Sequence, residues 1–264
     1  MLKDEQLQSQ ATPQGQPMTY GDYLRVPELL SLQTPLGVPE AHDETLFIIV
    51  QQAQELWFKQ ILHELHAVIE HLDRGQLPEA VRLLNRVNRI FGVLADEVDV
   101  LATMPPQDFQ LFRHVLSPAS GFESLQFREL ELASGLSDST FIKLIEKHME
   151  INGLRSRWDK TLRDAFLAQL APIARDPVEA LLTIYMNSTE HSELYALAEA
   201  LSEYETGFST WRFHHIKLVE RTIGDRVPGT AGSSGVGYLG KTMGYRFFPE
   251  LLEVRNRISA QTSQ

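Results

Sequence analysis

Histidine is the residue type through which this chain could bind a metal, because its 264 residues include nine histidines and no cysteine. The lack of cysteine excludes disulfides, zinc–thiolate sites, iron–sulfur clusters and thiolate nucleophiles. No glutamate is followed three residues later by a histidine, so the signature of carboxylate-bridged di-iron bundles is missing. His63, His66 and Glu70 share one helix face and could form a surface metal site. We favour a solvated helix face as the interpretation of this trio.

Two adjacent histidines differ in the helix face that they occupy. His215 shares a mostly apolar stripe with Phe208, Trp211 and Leu218, whereas His214 falls on a polar stripe. We therefore expect His215 to point inward and His214 outward. An inward histidine is more often a core residue than a ligand. A single inward histidine in an all-helical, cysteine-free chain is, however, also what a proximal haem ligand would look like.

Arg113 is the candidate for binding a carboxylate. It follows the aromatic pair Phe109 and Phe112 and precedes the turn at 117–121. A guanidinium can bind a carboxylate through two parallel hydrogen bonds. An ion pair that only stabilises the fold would use the same residue type, and the sequence leaves these two roles open.

A glycine-rich motif near the C-terminus matches the nucleotide-binding P-loop but lacks its structural context. Residues 235–242, GVGYLGKT, satisfy the pattern, and the first six of them also satisfy GxGxxG. Both motifs follow a buried strand, whereas residues 226–234 of this chain are RVPGTAGSS. Only the 22 residues 243–264 follow the motif, too few for a nucleotide-binding sheet. We therefore reject nucleotide binding.

Long amphipathic helices are predicted to position these side chains. Apolar residues recur every three or four positions from Asp43, a plausible N-cap, to Asp73. The pattern repeats over 77–102 and ends at Pro105. A short helix is expected over 20–32, two short helices within 107–134, and helices over 138–150 and 154–172. One or two long helices are expected within 177–223, and a last segment covers 242–258. No segment alternates as a strand does, so the sequence predicts an all-α bundle of long antiparallel helices with short accessory helices.

The helical pattern occupies residues 18–257, which we expect to form a single domain. Residues 1–17, rich in Gln, Pro and Ser, are expected to be a disordered tail, and 258–264 a C-terminal tail. The formal charge of −11, without a basic run interleaved with aromatics, argues against nucleic-acid binding. The longest apolar runs are about a quarter of the ~20 residues in a membrane span, and there is no signal-peptide pattern. We expect a cytoplasmic protein.

Six segments resemble the tryptophan 2,3-dioxygenase family, whose members use haem to open the indole ring of L-tryptophan. Their order and spacing are similar to the family's across residues 18–257, and the likeness is weakest over 132–175. The resemblance implies an all-α haem-binding fold with haem b, whose iron is ferrous in the active form, and tryptophan and O₂ as substrates. The segments are TYGDYLRVPELL (19–30), HDETLFIIVQQAQELWFKQILHEL (42–65), FRHVLSPASGFESLQFRELE (112–131), WRFHHIKLVERTIG (211–224), GTAGSSGVGYL (229–239) and FFPELLEVR (247–255).

The resemblance implies a role for residues around the cofactor and at the amino-acid end of the substrate. His215 corresponds to the proximal ligand of the haem iron. Ser120 corresponds to a serine near the haem edge, and Trp211 is expected to contact the cofactor. Arg113 corresponds to the residue that binds the substrate carboxylate, and Thr230 to a hydroxyl that contacts the carboxylate and ammonium groups.

The resemblance also implies how the indole is enclosed. Phe47 corresponds to an aromatic wall of the indole pocket. Tyr20 and Tyr23 correspond to tyrosines that reach the pocket from a neighbouring subunit. This implies a homotetramer whose N-terminal segments are exchanged between subunits. The loop 225–240 corresponds to a loop that closes over the substrate.

One position of the catalytic site departs from the family pattern. Where the family has a distal histidine, this chain has Gln51. The glutamine amide can donate and accept hydrogen bonds but cannot take up a proton at neutral pH. The related indoleamine dioxygenases also lack this histidine, so ring oxidation does not strictly need a base. The departure leaves the outcome of the reaction open.

We favour dioxygenation of the indole C2–C3 bond of L-tryptophan, or of a substituted tryptophan, to an N-formylkynurenine. The first alternative is a monooxygenase of natural-product biosynthesis, which converts a tryptophan such as a β-methylated one to a 2-oxindole. The second alternative is a sensor that binds haem or tryptophan without turnover. The mass of the product distinguishes these three functions.

Overall fold

The computed structural model describes residues 17–117, 123–136, 142–143, 146, 157–227, 240 and 242–262. Within these ranges the chain is mostly helical and contains no β-strand, which confirms the predicted all-α class. The helices are α1 (Tyr20–Leu24), α2 (Val26–Leu29), α3 (His42–Asp73), α4 (Leu77–Leu101), α5 (Pro106–Leu116), α6 (Leu125–Ser134), α7 (Leu162–Leu170), α8 (Pro177–Met186), α9 (Ser192–Ile223) and α10 (Pro249–Thr262).

Three long helices form the centre of the bundle. The helix α4 packs against both α3 and α9, and the short turn at Gly75 makes α3 and α4 an antiparallel pair. The shorter helices α5, α6 and α7 pack on α3, and α5 also reaches α9. The shared core consists of aliphatic and aromatic side chains that are almost completely buried, among them Ile61, Leu65, Leu84, Phe91, Leu94, Leu201 and Tyr204.

A glycine allows α4 and α9 to approach closely. A Cβ atom added at Gly207 of α9 would lie 3.0 Å from the Cβ atom of Phe91 in α4. The Phe91 ring meets Tyr204 and Phe208 edge-on, with centroids 5.3 and 5.6 Å away. The contact fixes the height and rotation of α9, the helix that carries both candidate histidines.

The N-terminal arm, residues 17–38, differs from the single short helix expected over 20–32. Arg25 adopts a left-handed conformation with φ 52°, which ends α1 and begins α2 in a new direction. Thr19 and Asp22 form a capping box that closes the first turn of α1. Many apolar residues of the arm are exposed, including Tyr20, Tyr23, Leu24, Leu30, Leu32, Leu36 and Val38.

Hydrogen bonds to α3 hold the base of the arm. Gln52 of α3 donates to the carbonyl of Leu32 and accepts from the side chain of Gln33. The carboxylate of Glu44, also in α3, accepts from the backbone N–H groups of Leu36 and Gly37 at 2.8 Å. The base of the arm is therefore fixed, while its tip at α1 remains exposed.

Several helix boundaries differ from the sequence expectation. The N-cap of α3 is Ala41 and not Asp43, as the sequence had suggested. Asp43 lies in the first turn, where its negative charge interacts favourably with the helix dipole. Of the helix expected over 154–172, the described residues 157–172 are helical only over α7, which begins at Leu162 after the N-cap Thr161 and its capping-box partner Asp164. The segment 177–223 forms two helices, α8 and α9. The last helix is α10, which begins after Phe248 and extends to Thr262; most of the helix expected over 138–150 lies outside the described residues.

Candidate functional site

His215 lies on the buried stripe of α9 that its spacing predicts. Phe208, Trp211 and Leu218 on this stripe are buried, and His215 itself is half-buried. The imidazole stacks on the indole of Trp211, with ring planes 9° apart and centroids 6.0 Å apart. No hydrogen bond to the imidazole is present among the described residues. The ring is held by packing, and its nitrogen atoms remain available.

The environment of His215 keeps its imidazole neutral. Burial, reinforced by the positive charge of Arg212, lowers the pKa of His215 to about 4. At pH 7 one ring nitrogen therefore carries a free lone pair, as a metal ligand requires. The neighbouring His214 differs, because its Nδ1 lies 2.9 Å from Asp99 Oδ1 on α4. Of the two adjacent histidines, His215 is the one suited to hold a metal.

A cluster of aromatic rings surrounds the turn before His215. Phe58 of α3 and Phe127 of α6 contact the Trp211 ring at centroid distances of 5.6 and 5.1 Å. The indole Nε1 of Trp211 is buried and has no hydrogen-bond partner among the described residues. Buried N–H groups are rarely left unpaired, so a bound group with an acceptor atom would complete this site. Haem, a flat apolar ring with two carboxylates, has the chemistry that this wall and this donor fit.

A second aromatic cluster joins α3 to α5. The Phe47 ring lies 5.9 Å from Phe109 and 5.5 Å from Phe112, measured between ring centroids. Arg113 follows Phe112 directly and is half-buried in the last turn of α5. Phe47, the predicted wall of the indole pocket, and Arg113, the predicted ligand of the carboxylate, therefore both lie on helices that meet at the α3–α5 contact.

Gln51 lies on α3 between the two aromatic clusters. It is one turn after Phe47 and seven residues before Phe58, about 10 Å along the helix axis from the latter. Its side chain is half-buried, and its amide makes no hydrogen bond within the described part of the chain. Because α5 contacts both α3 and α9, the helices that carry Phe47, Gln51, Arg113 and His215 pack together.

Some predicted site residues are not brought to this region. Tyr20 and Tyr23 are 79% and 73% exposed and make no ring contact with either aromatic cluster in the described structure. Ser120 and Thr230 lie outside the described residues, as does most of the loop 225–240 with its P-loop-like motif. For these residues the sequence expectations stay predictions.

Sequence reasoning missed a buried ion network next to the histidine helix. Arg212 of α9 donates to the Glu131 carboxylate of α6 at 2.6 Å and to the Thr242 carbonyl at 2.7 Å. Arg128 of α6 lies 3.0 Å from the same carboxylate. The three-residue spacing of Arg128 and Glu131 was the signal available, but such pairs usually lie on exposed helix faces.

Other sites are not supported in the described ranges. His66 stacks on Trp158 with centroids 3.8 Å apart, and no group of three potential metal ligands is present among the described residues. No helix within these ranges is both long and apolar enough to span a membrane. An open groove of about 410 Å³ lies between α9 and α10 and contains none of the predicted site residues.

Within the described residues the protein is all-α, and a neutral histidine on a central helix lies beside buried aromatic rings and an indole N–H without a partner. Comparison with known sequences gives the family. The chain belongs to the tryptophan 2,3-dioxygenase family, because the sequence profile of that family matches residues 4–171 and 173–258. This confirms the resemblance carried by the six segments. Enzymes of this family are oxidoreductases, and the family implies haem as cofactor.

Individual relatives match along nearly the whole chain. The chain is 41% identical to the tryptophan 2,3-dioxygenase of Caulobacter vibrioides, over 92% of this chain and 99% of that protein. It is 40% identical to the tryptophan 2,3-dioxygenase of Bacillus cereus, over 91% of this chain and 93% of that protein. A tryptophan 2,3-dioxygenase from a Nocardioides species is 41% identical, over 93% of this chain and 96% of that protein.

Proposed function

We propose that this protein is a haem-dependent oxygenase that cleaves the indole C2–C3 bond of L-tryptophan or a substituted tryptophan and adds one atom of O₂ to each of the two carbons. The product is an N-formylkynurenine. The observation that carries the proposal is the neutral, stacked imidazole of His215 in a chain of this family. A sensor without turnover would need the same histidine, but not the substrate-binding set around Arg113.

His215 is the proposed ligand of the haem iron. The Trp211 ring sets the orientation of the imidazole, and its buried Nε1 is a donor available to a haem carboxylate. We propose Ser120 as a further contact at the haem edge, by its correspondence with the family. Bound haem would supply the iron that binds and activates O₂.

Arg113 and Phe47 are proposed to hold the two ends of the substrate. The guanidinium binds the carboxylate through paired hydrogen bonds, and the Phe47 ring packs against the indole. Thr230 is proposed to contact the carboxylate and ammonium groups. Fixing both ends presents one edge of the indole to the oxygen, and this positioning lowers the entropic part of the barrier.

Gln51 is proposed to contact the indole N–H through its amide oxygen. The side chain is available for this because the described fold does not occupy its hydrogen bonds. The amide does not titrate at neutral pH, so Gln51 orients the indole without removing its proton. A base is therefore not part of the proposed mechanism.

Monooxygenation is a second candidate, and the observation that favours it is Gln51 itself. The residue that would contact the indole N–H or the bound oxygen in the family pattern is a histidine, which this chain lacks. With a different hydrogen-bonding group at this point, the same site would transfer a single oxygen atom and yield a 2-oxindole. The second atom of O₂ then leaves as water, with two electrons from an added reductant. A β-methylated tryptophan is a suitable substrate to test for this outcome.

The deciding experiment is the product mass after aerobic incubation of the reduced, haem-loaded protein with L-tryptophan and with β-methyl-L-tryptophan under ¹⁸O₂. Two ¹⁸O atoms in the product support the dioxygenase. One ¹⁸O atom supports the monooxygenase and contradicts our proposal. A spectral change on adding tryptophan without any product supports the sensor. The haem-free protein serves as the control for background oxidation.

We propose that the active form is a homotetramer in which each N-terminal arm reaches a neighbouring subunit. The support is the exposed apolar surface of the arm, which includes Tyr20 and Tyr23, together with its fixed base at Gln52 and Glu44. Exposed apolar surface of this kind is typical of interaction surfaces.

Subunit mixing tests this assembly directly. The double variant Tyr20→Ala/Tyr23→Ala and the variant Arg113→Ala are each expected to have low activity as pure proteins. If the arm of one subunit completes the site of another, refolding an equal mixture restores part of the activity. If each chain completes its own site, the mixture is no more active than the mean of the two variants.

A further inference from the structure

The carboxylate of Glu44 is buried at the start of α3 and binds the backbone of the N-terminal arm. It lies in the first turn of α3, where the helix dipole favours a negative charge, and only 2% of the residue is exposed. Its two oxygen atoms accept from the backbone N–H groups of Leu36 and Gly37, each at 2.8 Å. Hydrogen bonds to an ionised acceptor are stronger than those between neutral groups. Glu44 therefore fixes the base of the arm against α3.

Gly37 in turn packs closely against α5, which it can do because it has no side chain. A Cβ atom added at Gly37 would lie 3.2 Å from the Cβ atom of Phe112 and 2.8 Å from Oε2 of Glu44. Phe112 is completely buried, and its ring packs on that of Phe47 in α3 at a centroid distance of 5.5 Å. Phe112 is therefore held both by the arm and by α3.

Phe112 directly precedes Arg113 in the last turn of α5. Neighbouring residues of a helix share one hydrogen-bonded backbone, so a shift of Phe112 moves Arg113 with it. The paired hydrogen bonds between a guanidinium and a carboxylate weaken steeply when distance or angle departs from the optimum. A series of contacts thus connects the buried Glu44 carboxylate to the proposed ligand of the substrate.

We propose that Glu44 is a positioning residue that fixes α5 through Gly37 and Phe112, and thereby sets the affinity of Arg113 for the substrate carboxylate. The inference rests on the proposed function, because it takes Arg113 as the ligand of that carboxylate. Glu44 itself contacts neither substrate nor haem in this account. The base of the arm then supports the site of its own subunit, whatever its tip contacts.

Two substitutions disturb these contacts from different ends. Glu44→Gln keeps the size of the side chain but replaces one of the two accepting oxygens by an NH₂ group, which faces a backbone N–H. Gly37→Ala leaves the carboxylate unchanged but adds a methyl group for which Glu44 and Phe112 leave no room. Both are expected to displace α5 and to leave the chemical groups of the proposed site intact.

Glu64→Gln is the matched control. Glu64 is also a buried glutamate of α3, but it lies about 30 Å further along the helix axis. Its carboxylate accepts from Gln60 at 2.6 Å and from Arg86 of α4 at 2.7 Å. The control therefore removes a buried charge from the same helix without touching the contact between the arm and α5.

The experiment measures the affinity for L-tryptophan and for tryptamine, which lacks the carboxylate. The haem-loaded proteins are titrated without O₂, so that no turnover occurs, and haem absorbance reports binding. Glu44→Gln and Gly37→Ala are each expected to raise the Kd for tryptophan about 10-fold, as for the loss of one charged hydrogen bond, and to leave the Kd for tryptamine unchanged. Glu64→Gln is expected to change neither. An unchanged Kd for tryptophan in both variants overturns the proposal, as does an equal loss for the two ligands or the same loss in Glu64→Gln.

A double-mutant cycle shows whether the effect passes through Arg113. In a protein that already carries Arg113→Ala, Glu44→Gln is expected to weaken tryptophan binding no further, because the group that it positions is gone. An additive loss contradicts the proposal, since Glu44 would then act by another route, such as the assembly of subunits.

Hydrogen exchange of α5 is the readout that does not depend on a ligand. Mass spectrometry of peptides from Pro106–Leu116 is expected to show faster exchange in Glu44→Gln and Gly37→Ala than in the wild type, and no change in Glu64→Gln. Equal exchange in all four proteins overturns the proposal. If Glu44→Gln does not fold, Gly37→Ala decides by the same criteria. If the wild type does not bind tryptophan, the proposed function fails, and the exchange rates still decide whether Glu44 fixes α5.

Discussion

Trp211 and His215, one turn apart on α9, present parallel rings whose planes differ by 9°. Trp211 is in turn fixed by Phe58 and Phe127, from two other helices. The orientation of the imidazole therefore depends on ring packing from α3 and α6, without a hydrogen bond from the described residues. Such packing orients the imidazole without a hydrogen bond from the described residues to either of its nitrogen atoms.

The adjacent histidines provide a matched test of haem binding. His215→Ala is expected to abolish stoichiometric haem binding, because the chain loses its only proposed iron ligand. His214→Ala removes the contact with Asp99 and is expected to keep a full haem complement. Haem-to-protein ratios from absorbance spectra measure both. Equal haem contents in the two variants would contradict the assignment of His215.

Arg113 is tested by comparing substrates with and without a carboxylate. Arg113→Ala is expected to raise KM for L-tryptophan about 100-fold, because two charged hydrogen bonds are lost. Tryptamine has no carboxylate, so its weak binding should not change. Steady-state kinetics or equilibrium titration measures the difference. If the affinity for both ligands falls equally, Arg113 stabilises the fold rather than binding the carboxylate.

Gln51 is expected to affect the reaction and not the stability of the fold. Gln51→Ala removes a side chain that makes no hydrogen bond in the described structure. The free energy of unfolding should therefore change by less than about 0.5 kcal/mol. Gln51→His introduces a group that titrates near neutral pH and should make kcat pH-dependent between about pH 5 and 8. Thermal unfolding and pH–rate profiles measure these effects. A large loss of stability in Gln51→Ala would show a structural role.

Glu97 is expected to destabilise the protein at neutral pH. Burial raises the pKa of Glu97 above its ordinary value of 4.5, although the indole N–H of Trp57 donates to it at 3.0 Å. The folded state therefore binds the proton more tightly than the unfolded state, and stability falls as pH rises above about 4.5. Glu97→Gln keeps the acceptor for Trp57 and should raise the melting temperature at pH 7 but not at pH 4.

The carboxyl group of Glu79 serves as a control, because its pKa is shifted in the opposite direction from that of Glu97. The pKa of Glu79 is lowered by its hydrogen bond and charge interaction with Arg82, so this group favours folding more as pH rises. Glu79→Gln should therefore slightly lower the melting temperature at pH 7. If Glu97→Gln and Glu79→Gln change stability in the same direction at pH 7, the account given for Glu97 is wrong.

Two helix glycines are expected to respond to alanine in opposite directions. Gly207→Ala would place a methyl group 3.0 Å from Phe91 and should lower stability by about 1–3 kcal/mol, as overpacking does. Gly92 of α4 has no neighbouring atom within 4 Å of an added Cβ, so Gly92→Ala should stabilise by about 0.5–1 kcal/mol through helix propensity. Chemical denaturation measures both. Equal changes would contradict the close approach at Gly207.

The sequence predicts the helices well where the periodic pattern is long. The three- and four-residue spacing places α3 and α4 within one residue of their observed ends, because each buries one face along its whole length. The break at Arg25 could not be predicted, because a left-handed arginine has no local sequence signature. The start of α7 at Thr161 was visible in principle, since Thr161 and Asp164 have the spacing of a capping box.

The inward position of His215 was predictable from the phase of an apolar stripe, whose other members Phe208, Trp211 and Leu218 are buried in the structure. Its role as an iron ligand stays a prediction. Arg212 was not predictable, because a charged residue on a helix is normally exposed. Only the structure shows that α6 places the Glu131 carboxylate within hydrogen-bond distance of the Arg212 guanidinium. The sequence does not decide the role of Arg113, because binding of a carboxylate and an ion pair that stabilises the fold both use the guanidinium.

The availability of the Gln51 amide has a consequence for how readily this position can change. A side chain that the rest of the fold does not use can be exchanged at little cost in stability. Position 51 is such a place, and it lies between the aromatic wall at Phe47 and the ring cluster beneath His215. Substitution here would change the group that the proposed site presents to the indole while the helices stay as they are. The proposed substrate contact at this position can therefore vary without a compensating change elsewhere in the fold.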